Sequence, residues 1–372
     1  MKKLGFGLMR LPLINENFSL IDKEALCEMI DVFLEKGFKY FDTAWFYHDG
    51  QSEEAVKECL VKRYPRESFI LADKLPLVLI NEEIELEKYF SAQLRRCGTD
   101  YFDYYLIHDM GANRYKAAKN MHVFEFLADK KAAGLVRNIG FSFHDGAQAL
   151  EEILSKHSEI DFVQIQLNYL DWESDTVQSR ECYEIAERYK KPVIVMEPVK
   201  GGTLANVPET VKKLFNSYNP HMSAASWAIR FAASHDNVMM VLSGMSDINQ
   251  VENNISYMEN FLPFTAEEYK IVSDAADIIN ASIAIPCTSC AYCVGVCPKN
   301  IAIPKYFELY NQDMRELETK EWTAQTMLYA HFSEQFGKAS ECIACRQCEK
   351  MCPQHISVCE WIKKVSARFE TV

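Results

Sequence analysis

Two short segments near the end of the chain carry the cysteine spacing with the most specific chemistry. Each follows the pattern C-x2-C-x2-C-x3-C-P, and their cysteines are Cys287, Cys290, Cys293 and Cys297 in the first and Cys342, Cys345, Cys348 and Cys352 in the second. This spacing holds cubane 4Fe-4S clusters, with three thiolates on one cluster and the fourth on the other. The sequence therefore predicts two clusters, one on Cys287, Cys290, Cys293 and Cys352 and one on Cys342, Cys345, Cys348 and Cys297.

Disulfides and zinc are the alternative uses of these cysteines. Disulfides belong to secreted proteins, and nothing in the sequence indicates secretion. Closed zinc sites usually take paired C-x2-C ligands, four to each metal, which two identical four-cysteine runs fit poorly. The remaining cysteines are scattered and are predicted to be buried, reduced thiols: Cys27, Cys59, Cys97, Cys182 and Cys359.

Length and composition limit the classes of protein to which the chain can belong. Its 372 residues suffice for one large and one small domain, and 48% hydrophobic with 25% charged residues is typical of a globular protein. The net charge of −13 argues against nucleic acid and anionic membranes as partners. No apolar run reaches the ~20 residues of a membrane span. We expect a cytoplasmic protein of an anaerobe or of another reducing environment.

Upstream of the cysteines, short apolar runs alternate with longer amphipathic stretches. The eight runs are Leu4–Leu8, Tyr40–Thr43, Phe69–Leu75, Phe102–Ile107, Asn138–Ser142, Phe162–Asn168, Pro192–Met196 and Val238–Leu242. Strands that alternate with helices pair in parallel, and eight such units in about 250 residues predict a (β/α)8 TIM barrel. A doubly wound open sheet is the alternative, although no G-x-G-x-x-G motif follows any run.

In such a barrel the reactive groups lie at the carboxyl ends of the strands. The predicted strand ends carry Asp42, Lys74 and His108, and Tyr47 follows in the loop after Asp42. A tyrosine hydroxyl becomes a usable acid–base group when a nearby cation favours the phenolate, and Lys74 is the candidate cation. Asp42 would pair with Lys74 and keep it charged.

These motifs resemble the aldo-keto reductases. The stretch Asp42–Tyr47 reads D-T-A-W-F-Y and is followed by Ser52-Glu53, and Lys74 and His108 resemble the catalytic lysine and histidine of that family. The resemblance continues through residues 4 to 260, and with the cysteine-rich tail the chain resembles the iron–sulfur branch of the family. It implies an oxidoreductase that acts on a small carbonyl or alcohol by hydride transfer, with Asp42, Tyr47, Lys74 and His108 as its catalytic residues. In carbonyl reduction the oxygen needs a proton, which Tyr47 would supply, and His108 would donate a hydrogen bond to that oxygen.

The resemblance also implies a nicotinamide cofactor and its contacts. Ser142 and Gln164 would bind the carboxamide, with Met196 and Pro198 beside the ring. The phosphate end would be lined by Gly244, Ser246, Gln250 and Asn254. Residues 243–250 contain Asp247 and no basic residue, and a phosphate without a cation is poorly recognised. We therefore expect NAD(H) rather than NADP(H). Met196 replaces the aromatic ring of many relatives, which leaves a flavin as an alternative cofactor.

Three segments divide the chain: a barrel over 1–264, a connecting helix and linker over 265–286, and a cluster domain over 287–372. Thr265 and Glu268 resemble a capping box at the start of the connecting helix. Helical patterns over 306–319 and 321–335 predict a small, mostly helical two-cluster ferredoxin domain. Ferredoxin or another electron carrier is the expected partner. The alternatives are a flavin- or ferredoxin-linked reductase without nicotinamide, and a redox-sensing barrel with structural clusters. Relatives plug the barrel bottom with a hairpin, which we expect another element to replace.

Overall fold

The structure, a computed structural model, describes residues 2–174, 177–316 and 324–370. Its contacts divide the chain into two compact units. We call Met1–Val199 with Pro220–Lys270 the barrel unit, and Lys200–Asn219 with Ile271–Val372 the C-terminal unit. The grouping of residues 200–219 with the cysteine-rich tail was not anticipated from the sequence. No helix among the described residues is long and apolar enough to cross a membrane.

The barrel unit contains eight parallel strands that close on themselves in sequence order, with β1 paired to both β2 and β8. Their bounds are β1 Leu4–Gly7, β2 Tyr40–Asp42, β3 Ile70–Leu75, β4 Phe102–Met110, β5 Val136–Phe143, β6 Phe162–Gln166, β7 Val193–Met196 and β8 Val238–Gly244. The closed parallel sheet confirms the predicted (β/α)8 barrel and excludes the doubly wound open sheet.

Helices alternate with the strands along the chain. From α1 to α11 they are Lys23–Glu35, Gln51–Val56, Glu85–Cys97, Ala112–Asn120, Val123–Ala132, Ala147–Lys156, Ser179–Arg188, Glu209–Tyr218, Ala224–Ala233, Ile248–Met258 and Ala266–Ser282. The sequence had predicted all but α4, α8 and α10. The predicted helix over 53–63 is split, because a π-helical turn over Lys57–Val61 follows α2. The capping box of α11 is present: Glu268 N donates to Thr265 Oγ1 at 3.2 Å, and Thr265 N donates to Glu268 Oε2 at 2.9 Å.

Large side chains fill the interior of the barrel near the starts of the strands. The rings of Tyr40 and Tyr104 lie 5.3 Å apart, and those of Tyr104 and Phe162 lie 5.0 Å apart. Gly140 makes room for this packing, since a Cβ there would lie 2.6 Å from the carbonyl oxygen of Phe162. Interior positions of a TIM barrel are filled in layers by such side chains. These rings therefore occupy the end of the barrel opposite the predicted catalytic residues.

The C-terminal unit is mostly helical, as predicted. After residues 200–219 and the end of α11 come α12 Ile303–Glu316, α13 Ala324–Gln335, α14 Gln347–Lys350 and α15 Val358–Phe369. Part of the predicted segments 306–319 and 321–335 falls on 317–323, outside the described residues. Tyr306, Ile362 and Val365 are fully buried in its core. Arg368 Nε pairs with the buried carboxylate of Asp313 at 2.6 Å, which ties α15 to α12.

Candidate active site and cluster cradles

Lys74 lies at the centre of the polar groups at the carboxyl ends of the strands. Its side chain is 1% exposed and its ammonium pairs with the carboxylate of Asp42. The same nitrogen donates to the carbonyl oxygen of Thr43 at 2.8 Å and lies 3.2 Å from the hydroxyl of Tyr47. A buried ammonium is stable only when its donors are satisfied, and these three partners satisfy them. The structure thus brings Asp42, Tyr47 and Lys74 together.

His108 is the fourth residue of the predicted set. It is buried on β4, and its ring centre lies 6.2 Å from that of Tyr47, nearly perpendicular to it. Burial, reinforced by the Lys74 charge, holds the pKa of His108 well below its usual range, so the imidazole is neutral. Its Nδ1 atom has no hydrogen-bond partner in the described part of the chain. A neutral imidazole beside Tyr47 can donate one N–H to a substrate oxygen.

The protonation of Tyr47 differs from the sequence-based expectation. We had expected Lys74 to favour the phenolate. In the structure, burial and the carboxylates of Asp42, Asp73 and Glu197 raise the pKa of Tyr47 well above its ordinary value. The hydroxyl is therefore protonated at neutral pH, the form in which it can donate a proton.

A second layer of buried polar groups fixes the strand that carries Lys74. Gln93 Nε2 donates to the carbonyl oxygen of Lys74 at 3.0 Å and to Glu53 Oε1 at 2.9 Å. Glu53 is paired with Arg96 at 2.7 Å and is hydrogen bonded to Asp73. Burial and the neighbouring Glu53 raise the pKa of Asp73 well above its usual range, so the two carboxyl groups share a proton. In the sequence, Glu53 stood out only as part of the Ser52-Glu53 motif.

The residues predicted to hold the carboxamide lie on the adjacent strands β5 and β6. Ser142 and Gln164 are neighbours in the sheet register, and both are buried. Ser142 Oγ accepts from the backbone of Asp109 at 2.8 Å, and Gln164 Nε2 donates to Asp42 Oδ2 at 3.2 Å. Gln164 therefore also orients the carboxylate that pairs with Lys74. Met196 ends β7 and is half-buried.

The residues predicted to line the phosphate end of the cofactor differ in their exposure to solvent. Ser246 and Gln250 are hydrogen bonded to each other at the exposed start of α10. Asn254 is buried instead, with its amide donating to Ser243 Oγ at 2.7 Å and its oxygen accepting from Tyr257. Asn254 is thus engaged in internal contacts, whereas Ser246 and Gln250 face solvent.

A cation missed by the sequence argument lies beside this end. A Cβ placed on Gly244 would lie 2.8 Å from Cγ of Arg10, which follows β1. The preference for NAD(H) rested on the lack of a basic residue within 243–250. Because Arg10 comes from the opposite end of the sequence but packs on Gly244, that argument no longer decides between the two dinucleotides.

Eight motif cysteines line two cavities, which we call the first and second cradles. The first is lined by Cys287, Cys290, Cys293 and Cys352. The second is lined by Cys297, Cys342, Cys345 and Cys348. The fourth cysteine of each run therefore lies with the first three of the other, which is the exchange that the spacing predicts.

The two cradles fit a bulky cluster better than a single ion. Among the described residues, no three His, Cys, Asp or Glu side chains approach closely enough to hold one metal ion. Thr288, in the wall of the first cradle, has a buried hydroxyl with no partner among those residues. Four thiols around one cavity, with an unpartnered hydroxyl in its wall, fit a cluster that the thiols would ligate together.

Residues 200–202 contact the first cradle, which no sequence pattern indicated. A Cβ on Gly201 would lie 2.0 Å from the carbonyl oxygen of Thr288, so only glycine allows this approach. The buried Lys200 donates to Gln354 Oε1 at 3.0 Å, and Thr288 and Gln354 both line the cradle. In the sequence, the two glycines after Lys200 were the one feature that could have indicated such a close approach.

Comparisons with known proteins agree with this geometry. The sequence matches the aldo/keto reductase family over residues 3–277 and a 4Fe-4S dicluster domain over residues 286–356. It is 24% identical over 298 residues to YqkF of Bacillus subtilis, described as an uncharacterized oxidoreductase, with 72% of this chain and 90% of that protein covered.

Solved structures of aldo-keto reductases share the barrel. The holo form of AKR11C1 from Bacillus halodurans aligns with a TM-score of 0.60 at 26% identity, covering 73% of this chain and 91% of that one. An aldo-keto reductase from Klebsiella pneumoniae in complex with NADPH aligns with a TM-score of 0.58 at 18% identity, covering 73% and 90%. At that identity the second likeness shows the fold alone. The chain belongs to the aldo/keto reductase family and carries a C-terminal 4Fe-4S dicluster domain.

Proposed function

We propose that this oxidoreductase reduces a small-molecule carbonyl by hydride transfer, with Tyr47 as the proton donor. The observation that carries the proposal is the ammonium of Lys74, paired with Asp42 and 3.2 Å from the Tyr47 hydroxyl. As the carbonyl carbon receives a hydride, the oxygen takes the proton of Tyr47, and Lys74 stabilises the phenolate that remains. His108 holds the oxygen by a hydrogen bond. In the reverse direction, Tyr47 is the base that accepts the proton of the alcohol.

A nicotinamide dinucleotide would supply the hydride. Ser142, Gln164, Met196 and Pro198 are the proposed contacts of its ring, and Gly244, Ser246, Gln250 and Asn254 those of its phosphate end. Ser246 and Gln250 stand at the start of α10, where backbone N–H groups favour an anion. Arg10 adds a positive charge beside Gly244. NAD(H) and NADP(H) are therefore both retained, and an assay with each decides between them.

The two clusters are proposed to exchange single electrons with a soluble carrier such as ferredoxin. The four motif cysteines that line each cradle are the proposed ligands. Cys345 is exposed in the second cradle, beside Ile343 and Arg346, which are 59% and 72% exposed. An exposed ligand with an apolar and a basic neighbour suits brief contact with an acidic carrier. This exposure favours the second candidate function, a carrier-linked reductase in which a flavin or the clusters replace nicotinamide.

Tyr47→Phe tests the proton donor. The variant should reduce a carbonyl about 10³-fold more slowly, since positioned general acids contribute 10²–10⁴-fold. The anaerobic EPR signals of its clusters should stay unchanged, because Tyr47 belongs to the barrel unit. Tyr218→Phe, at an exposed position on α8, is the matched control and should retain full activity. Unchanged turnover in Tyr47→Phe would contradict the proposal.

The same assay separates the two candidate functions. Anaerobic protein is supplied with NADH, NADPH or a chemically reduced viologen as the electron source. Carbonyl reduction with NADH or NADPH that depends on Tyr47 supports hydride transfer. Reduction supported by viologen alone, with no effect of either dinucleotide, would favour the carrier-linked reductase and would exclude the nicotinamide site.

A further inference from the structure

The second cradle contains a fifth cysteine that the motif does not include. Cys359, the second residue of α15, lines the cavity together with Cys297, Cys342, Cys345 and Cys348. It is 6% exposed. The sequence had placed it among the scattered thiols, since it follows Cys348 by more than a helical turn and fits no cluster spacing. Only the fold brings it to the cavity.

The thiol of Cys359 lies among the proposed ligands of the second cluster. Cys359 shares the wall of one cavity with Cys348 and with the other three motif cysteines of the second cradle. The position of Cys359 is fixed by its backbone, because its N–H donates to Glu349 Oε1 at 3.0 Å. Cys348 lies at the start of α14 and Cys359 at the start of α15, and these two helices of the C-terminal unit pack together.

The first cradle offers no equivalent. Its wall consists of its four cysteines, Thr288, Gln354 and apolar residues, and none of the described residues there is a fifth cysteine. The two cradles have the same ligand pattern, so Cys359 is a chemical difference between them. A side chain that contacts only one cradle can give the cluster there a different reduction potential from that of the other cluster.

We propose that Cys359 donates its S–H to a ligand sulfur of the second cluster and thereby raises the reduction potential of that cluster. An iron-bound ligand cysteine would be a thiolate, so it could only accept a hydrogen bond, and the Cys359 thiol would be the donor. Hydrogen bonds to ligand sulfurs are among the factors that set cluster potentials. The added electron increases the negative charge on the sulfurs, and a donor therefore stabilises the reduced cluster more than the oxidised one. This inference rests on the proposed cluster ligation.

The test is an anaerobic redox titration followed by EPR, on the full chain and on Cys359→Ala and Cys359→Ser. In Cys359→Ala one cluster should become harder to reduce by about tenfold, which is about 59 mV for one electron, and the other should not move. Cys359→Ser keeps a hydroxyl donor and should shift by less than half as much. Cys182→Ala, which removes a buried thiol of the barrel unit, should shift neither cluster.

Iron and sulfide content separate the failure of this inference from that of the proposed ligation. Wild-type protein without two four-iron clusters would overturn the ligation and, with it, the role of Cys359. Full iron content with both potentials unchanged in Cys359→Ala would overturn the hydrogen bond alone. Equal shifts in the alanine and serine variants would also overturn it, because they would show an effect of packing. If Cys359→Ala does not retain iron, the serine variant decides by the same criterion.

Discussion

The barrel site and the cluster cradles are completed by different kinds of partner. At the barrel site the polypeptide satisfies its own charges: Lys74 has Asp42, Thr43 and Tyr47, and Asp42 has Gln164 as well. In the C-terminal unit two sets of four thiols line the two cradles, and these thiols are the proposed ligands of clusters. A metal group bound by thiols that are far apart in the unfolded chain adds its binding free energy to folding. We therefore expect the barrel site to keep its arrangement without a bound group and the cradles to depend on one.

The largest expected effect is that of removing the clusters, for example by a chelator and an oxidant. A metal site that does not exist in the unfolded chain stabilises the folded state by its binding free energy. For structural zinc this free energy is of order 10 kcal/mol. The C-terminal unit should lose its cooperative unfolding transition, and the barrel unit should keep its own. Hydrogen exchange measured by mass spectrometry would show fast exchange in residues 285–370. Unchanged protection there would contradict the difference between the two regions.

Next in size is the effect of two buried ion pairs, one in each unit. Arg368 pairs with Asp313 in the C-terminal unit, and Arg230 pairs with Glu268 at 2.7 Å in the barrel unit. Removing one partner leaves a buried charge and costs about 3–5 kcal/mol. Arg368→Met should destabilise the C-terminal unit and Arg230→Met the barrel unit, as measured by urea denaturation with hydrogen exchange. Arg180→Met, from an exposed pair, is the control and should cost less than about 1 kcal/mol. If Arg368→Met destabilised both units equally, the expectation that the two units unfold independently would be wrong.

Local pattern predicted the barrel and the placement of polar residues at its strand ends, because both depend on short-range order. The strand ends place Asp42, Lys74 and His108, and the cysteine runs place their own thiols. α4 was missed, since Ala112–Asn120 is largely polar and has only two buried residues. The approach of Arg10 to Gly244, that of Lys200 to Gln354 and the place of Cys359 in the second cradle were missed, because each joins segments whose spacing follows no repeat. The protonation of Tyr47 was missed because it depends on burial.

A smaller effect concerns acid and falls on the barrel unit. Burial lowers the pKa of His235 to about 4, below the value of about 6.5 in an unfolded chain. The unfolded state therefore binds more protons between these values, so the stabilisation is complete above pH 6.5 and is lost as the pH falls towards 4. The loss is at most about 3 kcal/mol. The ring stacks on Trp172 with centres 4.3 Å apart, so His235→Phe should keep the packing and remove this pH dependence. A barrel transition with the same acid dependence in His235→Phe would contradict the assignment.

The smallest expected effect is that of the cap of α11, whose capping box lies in the barrel unit. Thr265→Ala removes the hydroxyl that accepts from Glu268 N, and loss of such a cap costs about 1 kcal/mol. Thr265→Ser keeps the acceptor and is the matched control, with an expected loss of only a few tenths of a kcal/mol. Because Glu268 also pairs with Arg230, the loss should appear in the same unfolding transition that Arg230→Met lowers. Thermal denaturation of the cluster-free and cluster-loaded protein should give the same difference between Thr265→Ala and Thr265→Ser. A difference that depends on the clusters would show that the barrel unit is not complete without them.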